Sequence, residues 1–229
     1  DGYKRHYSKL KELKIPLPPL EVQREIVAEI EGYQKLIDGC RQVVDSWKPQ
    51  IDIDPEWPMV KLGDVCENHD SKRRPVEKSE RKPGPYPYYG ASGIVDYVED
   101  FLFEGDFLLV SEDGANLLAR VTPIAFSISG KNWVNNHAHI LRFQNMNTQK
   151  FVETYLNGIS LEKHITGMAQ PKLNQAALNS LLIPFPNIEV QQEIIAKIEA
   201  ERKVIDGCRE LVKTYEEKIK RVIDKVWEE

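Results

Sequence analysis

The segment Ile15–Arg41, IPLPPLEVQREIVAEIEGYQKLIDGCR, recurs from Ile183 as IPFPNIEVQQEIIAKIEAERKVIDGCR. The offset is 168 residues with no gap, and 18 of the 34 positions from Ile15 to Lys48 are identical to their partners. Identical pairs include Pro16/Pro184, Pro18/Pro186, Asp38/Asp206, Gly39/Gly207 and Cys40/Cys208. A repeat constrains architecture before any other signal. Here its two copies bracket an unrelated segment of about 130 residues, which implies helix, globular domain, helix rather than a solenoid.

Each copy begins with prolines that cannot sit inside a helix, so each has a stiff extended lead-in. A long helix is expected from about Leu20, with apolar or near-apolar residues at Val22, Ile26, Ile30, Tyr33, Ile37, Cys40, Val44 and Trp47. After the first turn the steps alternate four and three, the spacing of a coiled-coil seam. Pro49 stops this helix. The second copy repeats the seam at Val190, Ile194, Ile198, Ile205, Cys208, Val212, Tyr215, Ile219, Val222 and Val226, interrupted by Glu201. A striped helix of this length needs a partner in water. The two copies therefore read as an antiparallel coiled coil. The bland alternative, two helices lying on the globular core, fits the length and narrowness of the seam less well.

The fold class expected is α+β: one globular domain with a twisted, mainly antiparallel sheet, flanked by the two paired helices. The expected boundaries are 1–19 for a domain tail and proline lead-in, 20–48 for the first helix, 49–182 for the domain and 183–229 for the second helix. Within the domain, Trp57–Cys66 reads as a strand leading into a helical turn. Tyr88–Tyr97, Phe101–Phe103, Phe107–Val110, Leu118–Ile128 and Ala138–Phe143 read as strands, and Phe151–Asn157 and Leu161–Ile165 as helical. Asn174 is a plausible N-cap for a short helix. Lys4, Leu10 and Leu13 fall opposite Lys172, Leu178 and Leu181, and the chain starts at Asp1 rather than Met. The first copy thus reads as following the tail of a domain whose body is missing.

Composition excludes several classes. No apolar run approaches the roughly 18–20 residues that span a bilayer, and the start has no signal-peptide pattern. Two of the three cysteines are repeat mates inside helices, which argues for a reducing, cytoplasmic setting rather than a disulfide framework. The net charge of −5 taken as a sum argues against nucleic acid, because phosphate binding draws on Lys and Arg. Distribution matters more.

Catalytic signatures are missing: no G-x-G-x-x-G, Walker loop, H-E-x-x-H, C-x-x-C or G-x-S-x-G. His137 and His139 would share one face of a strand, but no third ligand is evident, so no metal site is assigned. Positive charge concentrates in His69–Lys82, HDSKRRPVEKSERK, which supplies Lys72, Arg73, Arg74, Lys78, Arg81 and Lys82 just before Tyr88 and Tyr89. A basic loop beside aromatics suits phosphate contact with base contacts nearby, although a solvated surface loop has the same composition. Ser92, Asn116, Arg120, Lys131, Asn132, His137, Gln170 and Lys172 lie at loops or strand ends, where such side chains can reach base edges.

With these features in view, the chain resembles the specificity (S) subunits of Type I restriction–modification systems. The resemblance rests on Ile15-Pro-Leu-Pro-Pro-Leu-Glu-Val-Gln23 and Ile183-Pro-Phe-Pro-Asn-Ile-Glu-Val-Gln191, each followed by its helix. Val60-Lys-Leu-Gly-Asp-Val65, Tyr88-Tyr-Gly-Ala-Ser-Gly93, Glu112-Asp-Gly114 and Gly167-Met-Ala-Gln170 match internal landmarks. The resemblance implies a non-catalytic reader of one half of a split double-stranded DNA target. It also implies partner methylation subunits that use S-adenosylmethionine and restriction subunits that use ATP and Mg, with no cofactor in this chain. An S subunit normally has two recognition domains; this chain has one. It therefore reads as the second half of an S subunit, or as a half-sized S protein that forms a homodimer. The competing reading is a coiled-coil scaffold that binds protein and does not read DNA.

Overall fold

The computed structural model describes residues 14–167 and 170–228. The expected domain tail over 1–13 lies outside the described residues, as do Met168 and Ala169 of the last landmark. In chain order the elements are α1 (Leu20–Ser46), β1 (Met59–Lys61), α2 (Leu62–Val65), β2 (Glu67–Asn68), β3 (Pro83–Gly90), β4 (Gly93–Val98), β5 (Phe103–Glu104) and β6 (Phe107–Ser111). They continue with α3 (Asn116–Ala119), β7 (Ala125–Ile128), β8 (Lys131–Val134), β9 (Ala138–Arg142), α4 (Met146–Gly158), α5 (Gln175–Asn179), β10 (Leu182–Pro184) and α6 (Ile188–Glu228). Two compact units result: a globular one, Pro49–Glu199, and a helical one made of α1 and the part of α6 from Ala200 on.

In the helical unit, partial burial along α1 recurs at Gln23, Ile26, Ile30, Tyr33, Ile37, Cys40, Val44 and Trp47. On α6 it recurs at Glu201, Ile205, Cys208, Val212, Tyr215, Ile219, Val222 and Val226. Both runs alternate steps of three and four, so each helix presents one narrow stripe. The helices are antiparallel. Tyr33 meets Tyr215 with ring centroids 5.4 Å apart, and Trp47 Nε1 donates to Glu201 Oε2 at 3.2 Å. Val22 and Ile26 share a cavity with Val222 and Val226 at the far end. Val22 itself is 39% exposed and stands at the margin, because the seam there passes through Gln23. Gln23 Nε2 donates back to the Pro18 carbonyl at 2.7 Å and ties lead-in to helix. The break in the second stripe at Glu201 is thus answered by an indole N–H from the first. α1 ends at Ser46, two residues before the expected limit; Trp47 is already extended, and Pro49 disfavours helix at Lys48.

The globular unit holds two four-stranded sheets where one was expected, in the orders β2-β9-β6-β7 and β4-β3-β8-β5, together with a β1-β10 pair. All pairings are antiparallel except β3 with β8. β6 explains the need for two sheets. All five of its residues are buried, because both faces are covered. Leu108 and Val110 pack with Phe151, Val152 and Leu156 of α4. Phe107 and Leu109 point the other way, with Phe103, Ile128, Val134 and Ile140, into a second core. Asn145 starts α4 by accepting from the Thr148 N–H, and Asn174 caps α5 in the same way through Ala177. The β1-β10 pair joins the two ends of the unit, with Val60 opposite Ile183. Ile195 enters the first core, so the compact unit runs past the expected limit at 182 to Glu199. The expected strand Leu118–Ile128 forms only from Ala125. Before it lies α3, ended by Arg120 in the left-handed region at φ 51°.

Candidate nucleic-acid interface

The basic loop divides into cations tied into the fold and cations that are free. Arg73 is tied. Its Nη1 lies 2.5 Å from Glu112 Oε2 and 2.8 Å from the Ala138 carbonyl, and its Nη2 lies 3.5 Å from Asp70 Oδ2. Asp70 Oδ2 is 2.6 Å from His139 Nδ1, and Asp70 Oδ1 accepts from the Ile140 N–H at 2.9 Å. His139 Nε2 lies 2.7 Å from the Leu173 carbonyl. The fully buried ring is thereby held between the Asp70 carboxylate and the Leu173 carbonyl. Burial works to raise the Asp70 and Glu112 carboxyls. For Asp70 the His139 hydrogen bond and charge, and for Glu112 the bonds from Arg73 and Lys172, outweigh it and hold both below the usual carboxylate range.

The ligand atoms of Asp70, Glu112 and His139 lie within 4.8 Å of one another, a spacing that could hold a metal. Arg73 already supplies the cation there, and His139 Nδ1 is committed to Asp70, so the cluster is an ion-pair network. The expectation that His137 and His139 share one face is corrected. His139 lies inside β9, whereas His137 precedes the strand and is exposed, with Nδ1 2.9 Å from both Asp113 carboxylate oxygens. Asp70 and Glu112 reach these partners across 69 and 39 residues of sequence, and no local signal marks them.

Five other expected contact residues are also tied into the fold. Arg81 donates to Asp96 and the Val76 carbonyl and stacks 4.2 Å over Tyr88. Tyr88 is 1% exposed, with its hydroxyl accepting from the Val76 N–H. Asn116 exchanges hydrogen bonds with the Thr122 backbone. Arg120 donates to the carbonyls of Leu117, Leu156 and Ile159, closing the ends of α3 and α4. Asn132 is fully buried, its Nδ2 on the Gly130 carbonyl. These side chains serve the fold because their partners lie within reach before any ligand arrives. Tyr89 is half-buried against Phe126 in the second core.

The exposed set is Lys72, Arg74, Lys78, Lys82, Ser92, Lys131, His137, Gln170 and Lys172. Lys82 pairs with Glu99 at 2.9 Å, and Lys172 with Glu112 at 3.0 Å. The Arg74 guanidinium has no partner among the described residues, while its carbonyl is fixed by Trp133 Nε1 at 2.6 Å. Hydrogen bonds draw several loops to one end of the unit. Ser111 Oγ donates to the Ala91 carbonyl at 2.6 Å, the Gly114 N–H to Pro171, and the Glu112 N–H to His137. Asp113 pairs with Lys172 as an isolated bridge. Ser92, His137, Gln170 and Lys172 therefore stand on neighbouring loops held by one network.

A sequence profile described as Type I restriction modification DNA specificity domain matches residues 55–221. The chain belongs to this family. It is 34% identical over 167 residues to a putative type I restriction enzyme specificity subunit of Haemophilus influenzae, covering 73% of this chain and 39% of that protein. It is 22% identical over 216 residues to a putative type I specificity subunit of Mycoplasma pneumoniae, covering 88% and 87%. It therefore spans well under half of the first relative's length. Its fold is similar to a chain solved in a study of complex assembly and conformational transition of the type I R-M system, with TM-score 0.58, 20% identity and coverage of 93% and 60%. The S subunit from M. genitalium gives TM-score 0.53 and 15% identity, covering 90% and 59%.

In this specificity-family chain two of the landmark motifs fall in the loop network. Tyr88–Gly93 makes the β3–β4 turn, with Gly93 at φ 128°. Glu112-Asp-Gly114 supplies the ion-pair partner of Arg73, the partner of His137 and a turn glycine at φ 106°. Away from that end, a cavity of about 500 Å³ is lined by Asp64, Cys66, Glu67 and Arg142. Burial pushes the Cys66 thiol up to about 12, which removes it as a nucleophile at neutral pH.

Proposed function

We propose that the globular unit reads one half of a split double-stranded DNA target, as the recognition domain of a Type I restriction–modification complex, without catalysing a reaction itself. The observation that carries this reading is the family match over 55–221. The loop network supports it by presenting exposed cations and polar groups on a rigid frame. In this reading Arg74, Lys78, Lys72 and Lys131 meet phosphates, and Ser92, His137, Gln170 and Lys172 approach base edges. Methylation subunits carry the S-adenosylmethionine, and restriction subunits the ATP and Mg. No helix among the described residues is long and apolar enough to cross a membrane.

A second recognition domain, in the same protein or from a second copy, would pack on the first repeat. The repeat mates support this. Ile183 is fully buried and Ile195 4% exposed within the globular unit, whereas their mates Ile15 and Val27 are 68% and 52% exposed. Leu17 and Leu20 are likewise exposed, at 79% and 60%, opposite the half-buried Phe185 and Ile188.

The test is salt-dependent binding to duplex DNA containing the site mapped from methylated adenines in cells with the complete system. Arg74→Ala with Lys78→Ala should weaken all sequences about equally and reduce the slope of log K against log salt by about 1–2. Gln170→Ala and His137→Ala should change sequence preference instead. Unchanged affinity and slope in the double variant would remove this face from the interface.

A further inference from the structure

The seam of the helical unit carries a chemical feature that DNA reading does not use. Tyr33 faces Tyr215, and Trp47 faces Glu201. Cys40 lies seven residues from both Tyr33 and Trp47, and Cys208 lies seven residues from both Tyr215 and Glu201. Seven residues is two turns at the same seam position, so Cys40 and Cys208 occupy the level midway between those two contacts. They are also repeat mates, offset by 168. The local two-fold relation between the helices therefore passes between them, and this layer pairs a residue with its own counterpart. Both are half-buried free thiols. Burial, followed by the neighbouring Cys208 thiol, pushes Cys40 up.

We propose that Cys40 and Cys208 form an oxidation site, a dithiol that closes to a disulfide between the two spacer helices. With oxidised glutathione as the oxidant, the thiolate of one cysteine attacks a glutathione sulfur and releases one glutathione thiol. The second cysteine attacks the resulting mixed disulfide at the protein sulfur and releases the other. Two protein thiols become one S–S bond, and their two hydrogens end on two glutathione thiols. The crosslink spans a 168-residue separation and holds covalently a register that packing alone holds in the reduced form. The raised thiol slows the first attack, so reaction is favoured at mildly alkaline pH. Cys66 is excluded from this chemistry. It lies in the globular unit, its thiol is pushed up to about 12, and it donates to the Leu62 carbonyl.

The test uses the full chain, incubated with oxidised glutathione at mildly alkaline pH. Intact mass, non-reducing electrophoresis and peptide mapping then locate the bond. The expected product has lost two hydrogens, migrates as a single chain and yields a Cys40–Cys208 linked peptide. Its helical melting transition rises by roughly 5 °C or more and returns on adding dithiothreitol. Cys40→Ser and Cys208→Ser each abolish the product, while Cys66→Ser forms it normally. Stable single-cysteine glutathione adducts, or crosslinks only between chains, would overturn the proposal, and so would a Cys66-containing bond.

Discussion

Arg73→Ala should unfold the globular unit more readily, and the size of the effect follows from what the guanidinium neutralises. The Asp70 side chain is 4% exposed and that of Glu112 is 11% exposed, and each has an Arg73 nitrogen within 3.5 Å. His139 and Lys172 remain after the substitution, so the two carboxylates lose one of three side-chain partners. Breaking a buried ion pair from one side costs about 3–5 kcal/mol, and the remaining partners place this case near 3 kcal/mol. For a unit of this size each kcal/mol moves the melting temperature by roughly 2–4 °C, which gives a drop of about 6–12 °C by circular dichroism. The pH dependence has a defined sign. Asp70 and Glu112 are both held below their ordinary values, so their contribution is full above the unfolded values of about 4 and is lost as pH falls through the folded ones. The gap between wild type and variant should therefore be widest near pH 6–7 and close below about pH 4. Arg74→Ala, with no partner to lose, should melt like wild type. An Arg73→Ala protein within 2 °C of wild type at pH 7 would refute the assignment of Arg73 to the fold.

Two further substitutions test the frame around the site. Gly84→Ala should destabilise the β3–β4 hairpin by about 1–3 kcal/mol in denaturant titration, because an added Cβ would stand 2.3 Å from the Glu99 Cα and 2.4 Å from the Val98 carbonyl oxygen. Gln191→Ala should cost about 2 kcal/mol, since Gln191 is 1% exposed and serves both the Thr148 hydroxyl and the Pro186 carbonyl at 2.8 Å. Its repeat mate Gln23 makes only the matching bond to Pro18 and is more exposed, so Gln23→Ala should cost less than half as much.

The helices were legible in the sequence because their signal is local and repeated. Proline lead-in, seam spacing and Pro49 all act within a few residues of the elements they define. The repeat even contains its own partner choice. Glu201 looks like a defect in one stripe until its mate Tyr33 and the facing Trp47 are set beside it. The globular unit was less legible. β6 reads as a strand, but nothing in Phe107–Ser111 says that one face meets α4 and the other a second sheet. Leu118 and Arg120 lie in an apolar run that resembles a strand. The turn at α3 forms there because Asn116 bonds to Thr122 and the Arg120 side chain reaches carbonyls near the end of α4.

The candidate site shows the same limit in sharper form. Sequence gives every cation in Lys72–Lys82 equal standing as a phosphate ligand, because composition counts charges without their neighbours. The acids that take Arg73 and Arg81 out of that pool are Glu112 and Asp96, 39 and 15 residues away. Once those pairs are formed, the uncommitted charge belongs to residues such as Arg74 and Lys78, whose backbones are placed by turns that the committed arginines help to hold. Arg73 bonds the Asp70 and Asn136 carbonyls as well as its acids, so it fixes the loop that carries Arg74. The net charge of −5 is compatible with DNA reading on this account. Several of the acids that lower the sum are internal counterions of the frame, and they leave the free cations exposed at its edge.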